Sequence, residues 1–210
     1  MNLFEILVKG GWVMILIAIS SVAILAIFIE RFFALRSVKI NARTFILTVK
    51  NLLLKNQLGE AIKRAKLTPG PVAAITKSAL EKYNRPKEEV KEAIETAGRG
   101  QIYNLEKFLG ALATLAAITP MLGFLGTVTG MIKAFMKIQT LGGNVGPGVL
   151  AGGIWEALVT TAAGLFVGIV AIIFYNYLQG QVERLVFEME DNSNELLEMV
   201  RQEESLSNEV

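Results

Sequence analysis

The 210-residue chain contains no cysteine and no histidine. The first absence excludes disulfides and thiol nucleophiles. The second excludes imidazole acid–base catalysis, and the two together remove the commonest zinc ligand sets, so no metal site is expected. Carboxylates and hydroxyls are the chemistry-bearing groups that remain. No pair of carboxylates falls within the apolar stretches, so a catalytic constellation is hard to draw and an enzyme is not expected. Charge itself is missing from long stretches. Glu156 is the one charged residue among the thirty from Val149 to Leu178.

Three apolar runs stand out: Trp12 to Ile29, Phe108 to Ile132 and Val149 to Leu178. A bilayer core of about 30 Å takes about 20 helical residues, so each run is long enough to span. An all-α integral membrane protein with three transmembrane helices is predicted. The first run reads as an uncleaved span rather than a secretory signal. Only Lys9 precedes it, and Glu30-Arg31 closes it as a stop. Residues 34–107 carry fifteen Lys or Arg against seven Glu, whereas Gln139 to Gly153 carries no charge. The positive-inside rule then puts the long segment and the C-terminus in the cytoplasm, and the N-terminus and short loop outside. Lys133 and Lys137, at the outer end of the second span, run against the rule without outweighing it. The division that follows is 1–33 with span one, 34–107 cytoplasmic, 108–138 span two, 139–148 outer loop, 149–178 span three, and 179–210 a cytoplasmic helix and tail.

Within the cytoplasmic segment, Phe45, Val49, Leu52, Leu53, Leu58, Ile62 and Ala65 form a helical stripe broken near Asn56-Gln57, which predicts two short amphipathic helices. Thr68-Pro69-Gly70-Pro71 reads as a turn and Asn84-Arg85-Pro86 as a second break. From Pro86 the pattern runs through Val90, Ile94, Ala97, Ile102 and Leu105 into span two with no breaker, predicting one long helix. Beyond Leu178, the residues Val182, Leu185, Val186, Met189, Leu196, Leu197 and Val200 extend span three as an amphipathic rod. Nine acidic residues against two Arg in that tail complement the basic middle segment. No nucleic-acid motif accompanies the basic residues.

Span two holds Thr119-Pro120, Gly123, Gly126, Thr127, Thr129 and Gly130. Small residues three or four apart let helices approach closely in lipid, and Pro120 opens the backbone ladder. Span three holds Glu156, Thr160, Thr161, Ala163, Gly164 and Gly168. The spacing puts Glu156, Thr160, Ala163 and Gly164 on one face with Thr161 at its margin, a polar stripe that must meet a helix or a water-lined pore rather than lipid. A charged side chain at the centre of a lone membrane helix costs about 3 kcal/mol, so Glu156 marks a functional site by default. The alternative is a buried structural hydrogen bond to a Thr or to backbone. For the glycines, packing alone is a sufficient reading.

The stretches ITPMLGFLGTVTGMIKAF (118–135) and GIWEALVTTAAGLFVGIVAIIFYN (153–176) closely resemble the ExbB/TolQ branch of the MotA/TolQ/ExbB proton-channel family. The resemblance implies a homopentameric ring in the bacterial inner membrane. Its pore would enclose single-span helices of an ExbD/TolR-type partner, and a TonB/TolA-type transducer would carry work onward. By position, Glu156 matches the family's pore glutamate, and Thr127 and Thr161 its span-two and span-three threonines. Pro120, Gly123, Gly126 and Gly164 match packing positions, to which Gly130 and Gly168 are added from spacing. Thr129 stands where relatives often have an aromatic, and Thr160 adds a hydroxyl beside Thr161. The expected ion is H⁺, with Na⁺ as the alternative because oxygen-rich sites suit hard cations; no cofactor is expected. A MotA-like stator resembles the chain less, since it has four spans. A non-conducting oligomeric scaffold is the rival from another class.

Overall fold

The computed structural model describes residues 10–141 and 146–207. The expectations for residues 1–9, and for the part of the 139–148 loop at 142–145, lie outside the described residues. All secondary structure among the described residues is helical. It comprises α1 (Gly11–Ser37), α2 (Ala42–Leu54), α3 (Leu58–Leu67), α4 (Pro71–Glu81), α5 (Lys87–Leu105), α6 (Leu109–Thr140) and α7 (Pro147–Ser207). Three of the helices are long and apolar enough to cross a membrane.

The chain forms two compact units, one of residues 1–30 and 108–178 and the other of residues 31–107 and 179–210. In the first unit α1 buries Val13, Met14, Ile17, Ser20 and Ile24, which recur at helical spacing on one face. Phe28 stacks on Phe174 of α7 with ring centroids 3.8 Å apart, fixing α1 against that helix. The remaining faces are apolar and exposed, as in Met121, Phe124, Phe166 and Ile169. Such surface is at home in lipid and out of place in water.

The second unit is a conventional helical core. Asn41 caps α2, its Oδ1 accepting from Thr44 N at 3.1 Å. The expected break falls at Asn56, which takes a left-handed φ of 54°, a conformation Asn tolerates. Pro71 sits in the first turn of α4, where its missing N–H is harmless. Ile46, Val49, Leu80 and Val90 are fully buried, and Val182, Leu185, Met189 and Leu196 of α7 are buried beside them in the same unit. The tail's apolar stripe therefore does pack. Among the described residues, Arg184 of α7 pairs with Glu188 one turn along, and Lys91 of α5 with Glu95.

One expectation fails. Residues 86 to 140 are not one helix: α5 stops at Leu105 and α6 starts at Leu109, with Phe108 at φ 64° between them. A left-handed non-glycine residue costs about 1–2 kcal/mol. The turn keeps its backbone bonds, Glu106 N donating to Ile102 O and Leu112 N to Phe108 O. It falls where the chain passes from one unit to the other, and no Gly or Pro announces it.

Gly100, inside α5, has open space where a Cβ would stand. Gly100→Ala is expected to stabilise the protein by about 0.5–1 kcal/mol through reduced unfolded-state entropy, seen as a raised thermal midpoint in detergent.

Candidate functional site

The site is built where α6 and α7 run antiparallel in closest contact. Along α6, Pro120 meets Gly168, Gly123 meets Gly164, Gly126 meets Thr160, Gly130 meets Ala157, and Ala134 meets Gly153. A Cβ added at Gly164 would lie 2.7 Å from Gly123 Cα and 2.9 Å from Thr119 O. Backbones touch here, which only glycine permits. Pro120 lacks the N–H that would reach the Ala116 carbonyl, and its ring fills the notch that Gly168 leaves.

Three sets of polar side chains lie along this pair. The first is the hydroxyl couple of Thr127 and Thr161, which hydrogen-bond to each other. Thr161 Oγ1 also approaches Gly123 O at 3.0 Å, and Thr127 Oγ1 approaches Ala157 O at 3.3 Å. These bonds cross from one helix to the other, and low-dielectric surroundings strengthen them.

The second set serves its own helix. Thr160 is wholly buried against Gly126, its hydroxyl directed to the carbonyls of Ala157 at 2.9 Å and Glu156 at 3.1 Å. Thr129 bonds Leu125 O at 2.9 Å and Gly126 O at 3.2 Å. Such back-bonding satisfies a hydroxyl without a partner helix. Thr160 thus lies one turn from Glu156 on the face of α7 that packs on α6, its hydroxyl turned to its own helix, and Thr129 does not join the Thr127–Thr161 couple.

The third set is an ion pair. Glu156 Oε1 accepts from Lys133 Nζ at 2.6 Å, with the side chains 23% and 47% exposed respectively. Gly11, the first residue of α1, backs the carboxylate: a Cβ there would stand 2.5 Å from Glu156 Oε1 and 3.4 Å from Lys133 Nζ, and φ is +67°. α1, α6 and α7 all converge on Glu156. A cavity of about 610 Å³ opens beside it, lined by Lys133, Lys137, Trp155, Glu156, Ala134, Gly152 and Gly153. Thr161 is five residues further along α7, about 7.5 Å by helical rise and well around the helix. The carboxylate and the hydroxyl couple are therefore separate features of one helix pair.

Lys133 is the residue that sequence reasoning missed. It reads there as a nuisance to topology, because its pairing depends on the register between two helices. The glycine stripes of spans two and three carry that register, and aligning them antiparallel brings Lys133 level with Glu156.

Membrane-length helices locked through glycine contacts, with a carboxylate and hydroxyls along the tightest seam, define a polytopic helical membrane protein whose polar groups lie between its spans. Comparison with known proteins gives the family. The MotA/TolQ/ExbB proton channel family matches residues 68–191. A biopolymer transport protein ExbB homologue of Methanothermobacter thermautotrophicus is 31% identical over 183 residues, 87% of this chain and 64% of that protein. The biopolymer transport protein ExbB of Neisseria gonorrhoeae is 31% identical over 153 residues, 66% of this chain and 69% of that one. An ExbB-like protein of Synechocystis is 29% identical over 169 residues, 80% of each chain. The chain belongs to the MotA/TolQ/ExbB proton channel family, in its ExbB/TolQ branch. It spans just under two thirds of the length of the archaeal relative.

Proposed function

We propose that the chain is the channel, or stator, subunit of an ion-driven motor in the inner membrane. In this reading five copies form a ring around single-span helices of an ExbD/TolR-type partner. H⁺ passes between the ring wall and a carboxylate of that partner. Shifting charge turns one against the other, and a TonB/TolA-type transducer delivers the work beyond the membrane. The N-terminus lies outside and the C-terminus in the cytoplasm. The observation that carries the reading is Glu156, an ionisable group on a membrane-length helix, paired with Lys133 and reachable from a cavity. Charge at that depth is costly unless used. Glu156 acts as a relay and tuning group, and Thr127 and Thr161 as the polar lining one to two turns deeper.

The exposed apolar faces of α6 and α7 support assembly into a ring, because only part of that surface is needed against lipid. Native mass spectrometry of the purified subunit should show five copies. In cells lacking the endogenous subunit, the chain together with its partner should restore energy-dependent uptake or envelope integrity, and a protonophore should abolish the rescue. Rescue that survives the protonophore would favour the non-conducting scaffold instead.

A further inference from the structure

We infer that Lys133 is the tethered counter-cation of Glu156: it fills the cation position at that carboxylate and so keeps Na⁺ from it. The consequence for transport rests on the ion-driven reading above, whereas the binding it predicts is read on the chain by itself.

The contact is short, 2.6 Å between Nζ and Oε1, and it joins a compact ammonium to a carboxylate with no third charge in the pair among the described residues. A neutral pair is far cheaper among apolar helices than a lone carboxylate, which gives Lys133 a reason to be there. Na⁺ is a hard cation that needs several oxygen ligands at once. With the ammonium gone, the Glu156 carboxylate and the polar groups and water that the cavity admits could supply them, so it is Lys133 at Oε1 that bars the ion. The seam hydroxyls are engaged along the helices instead. Thr127 and Thr161 lie against each other, with the carbonyls of Ala157 and Gly123 in reach of their two hydroxyl protons. The hydroxyls of Thr160 and Thr129 turn to carbonyls of their own helices. From α1 the carboxylate meets Gly11, which brings no side chain. The cavity beside the pair adds Lys137, a second cation that repels any incoming one.

A proton needs no such cage. When the four-carbon stem of Lys133 swings toward the cavity, one proton can neutralise Glu156, while Na⁺ would have to displace the ammonium and then find ligands. On this account Lys133 is a specificity-determining residue, and the hydroxyl-rich seam does not make the subunit Na⁺-coupled.

The test uses the full chain in lipid nanodiscs, with Na⁺ exchanged for K⁺ at constant ionic strength, read by thermal midpoint and by ²³Na line width. The wild type and K133R should be indifferent to the exchange. K133Q should gain a Na⁺-selective rise in midpoint and line broadening, both lost again in K133Q/E156Q. A wild-type Na⁺ signal that disappears in E156Q overturns the inference, as does a folded K133Q that remains indifferent. Where K133Q does not fold, the charge swap K133E/E156K takes its place: recovery of folded protein supports the pairing, and no recovery overturns it. A complex that moves no ions with its partner defeats the ion-driven reading and leaves the cation exclusion standing.

Discussion

Gly164→Leu is expected to abolish the assembled protein. A Cβ at residue 164 would lie within 2.9 Å of three atoms: Gly123 Cα, Gly123 N and Thr119 O. All three are backbone, so no rotamer change relieves the clash, and α6 must move away from α7. Overpacking a core, where side chains and backbone can shift to make room, costs about 1–3 kcal/mol. Here the cost should exceed about 3 kcal/mol, the top of that range, because separating the helices also breaks the bonds from Thr161 to Gly123 O and from Thr127 to Ala157 O. Gly164→Ala should act in the same direction and more weakly. Gly180, on the same helix, has no atom within 4 Å of the place a Cβ would occupy, so Gly180→Leu should be tolerated. Recovery of folded protein from detergent, with size-exclusion profiles of the three variants, separates these outcomes.

Glu156→Gln is expected to leave assembly intact and to eliminate ion-driven work. Glutamine keeps the volume of the side chain beside Gly11, so the packing at the start of α1 survives. Lys133 loses its partner, but at 47% exposure it can extend its stem toward the cavity and be solvated there. On the proposed function, the property lost is proton transfer at residue 156. Removing a positioned proton-transfer group typically costs on the order of 10²–10⁴ in rate. Activity should fall to background while the complex still purifies with its partner. Thr127→Val and Thr161→Val probe the other polar feature and should be milder, because each removes a hydroxyl from a bonded couple and leaves the charge in place.

How much of the molecule is legible in its sequence follows from the range of each interaction. The three helices of membrane-spanning length and the continuation of α7 beyond its apolar stretch are legible because hydropathy and period are properties of one segment at a time. The small-residue seam is legible for the same reason. The break at Phe108 is not: its flanking residues, Leu105 and Leu109, keep the helical spacing, and a Phe carries no turn signal. Periodicity puts Thr160 one turn from Glu156 on the α6-facing side but does not show where its hydroxyl bonds: a threonine hydroxyl can turn back to its own helix, and at Thr160 and Thr129 it does. Lys133 lies beyond reach because its role exists only once α6 and α7 are in register. Sequence period describes one helix, whereas an ion pair across helices depends on two.

On the proposed function, an ionisable residue in the seam of α6 and α7 lets this subunit, with its partner, pass protons. This is tested most directly by reconstituting the purified complex into liposomes loaded with a pH-sensitive dye and imposing a proton gradient. Proton entry is expected in the wild-type complex, none with the subunit alone, and loss of entry in the intact Glu156→Gln complex. Proton entry undiminished in Glu156→Gln, or no flux from a wild-type complex of full composition, would contradict that reading.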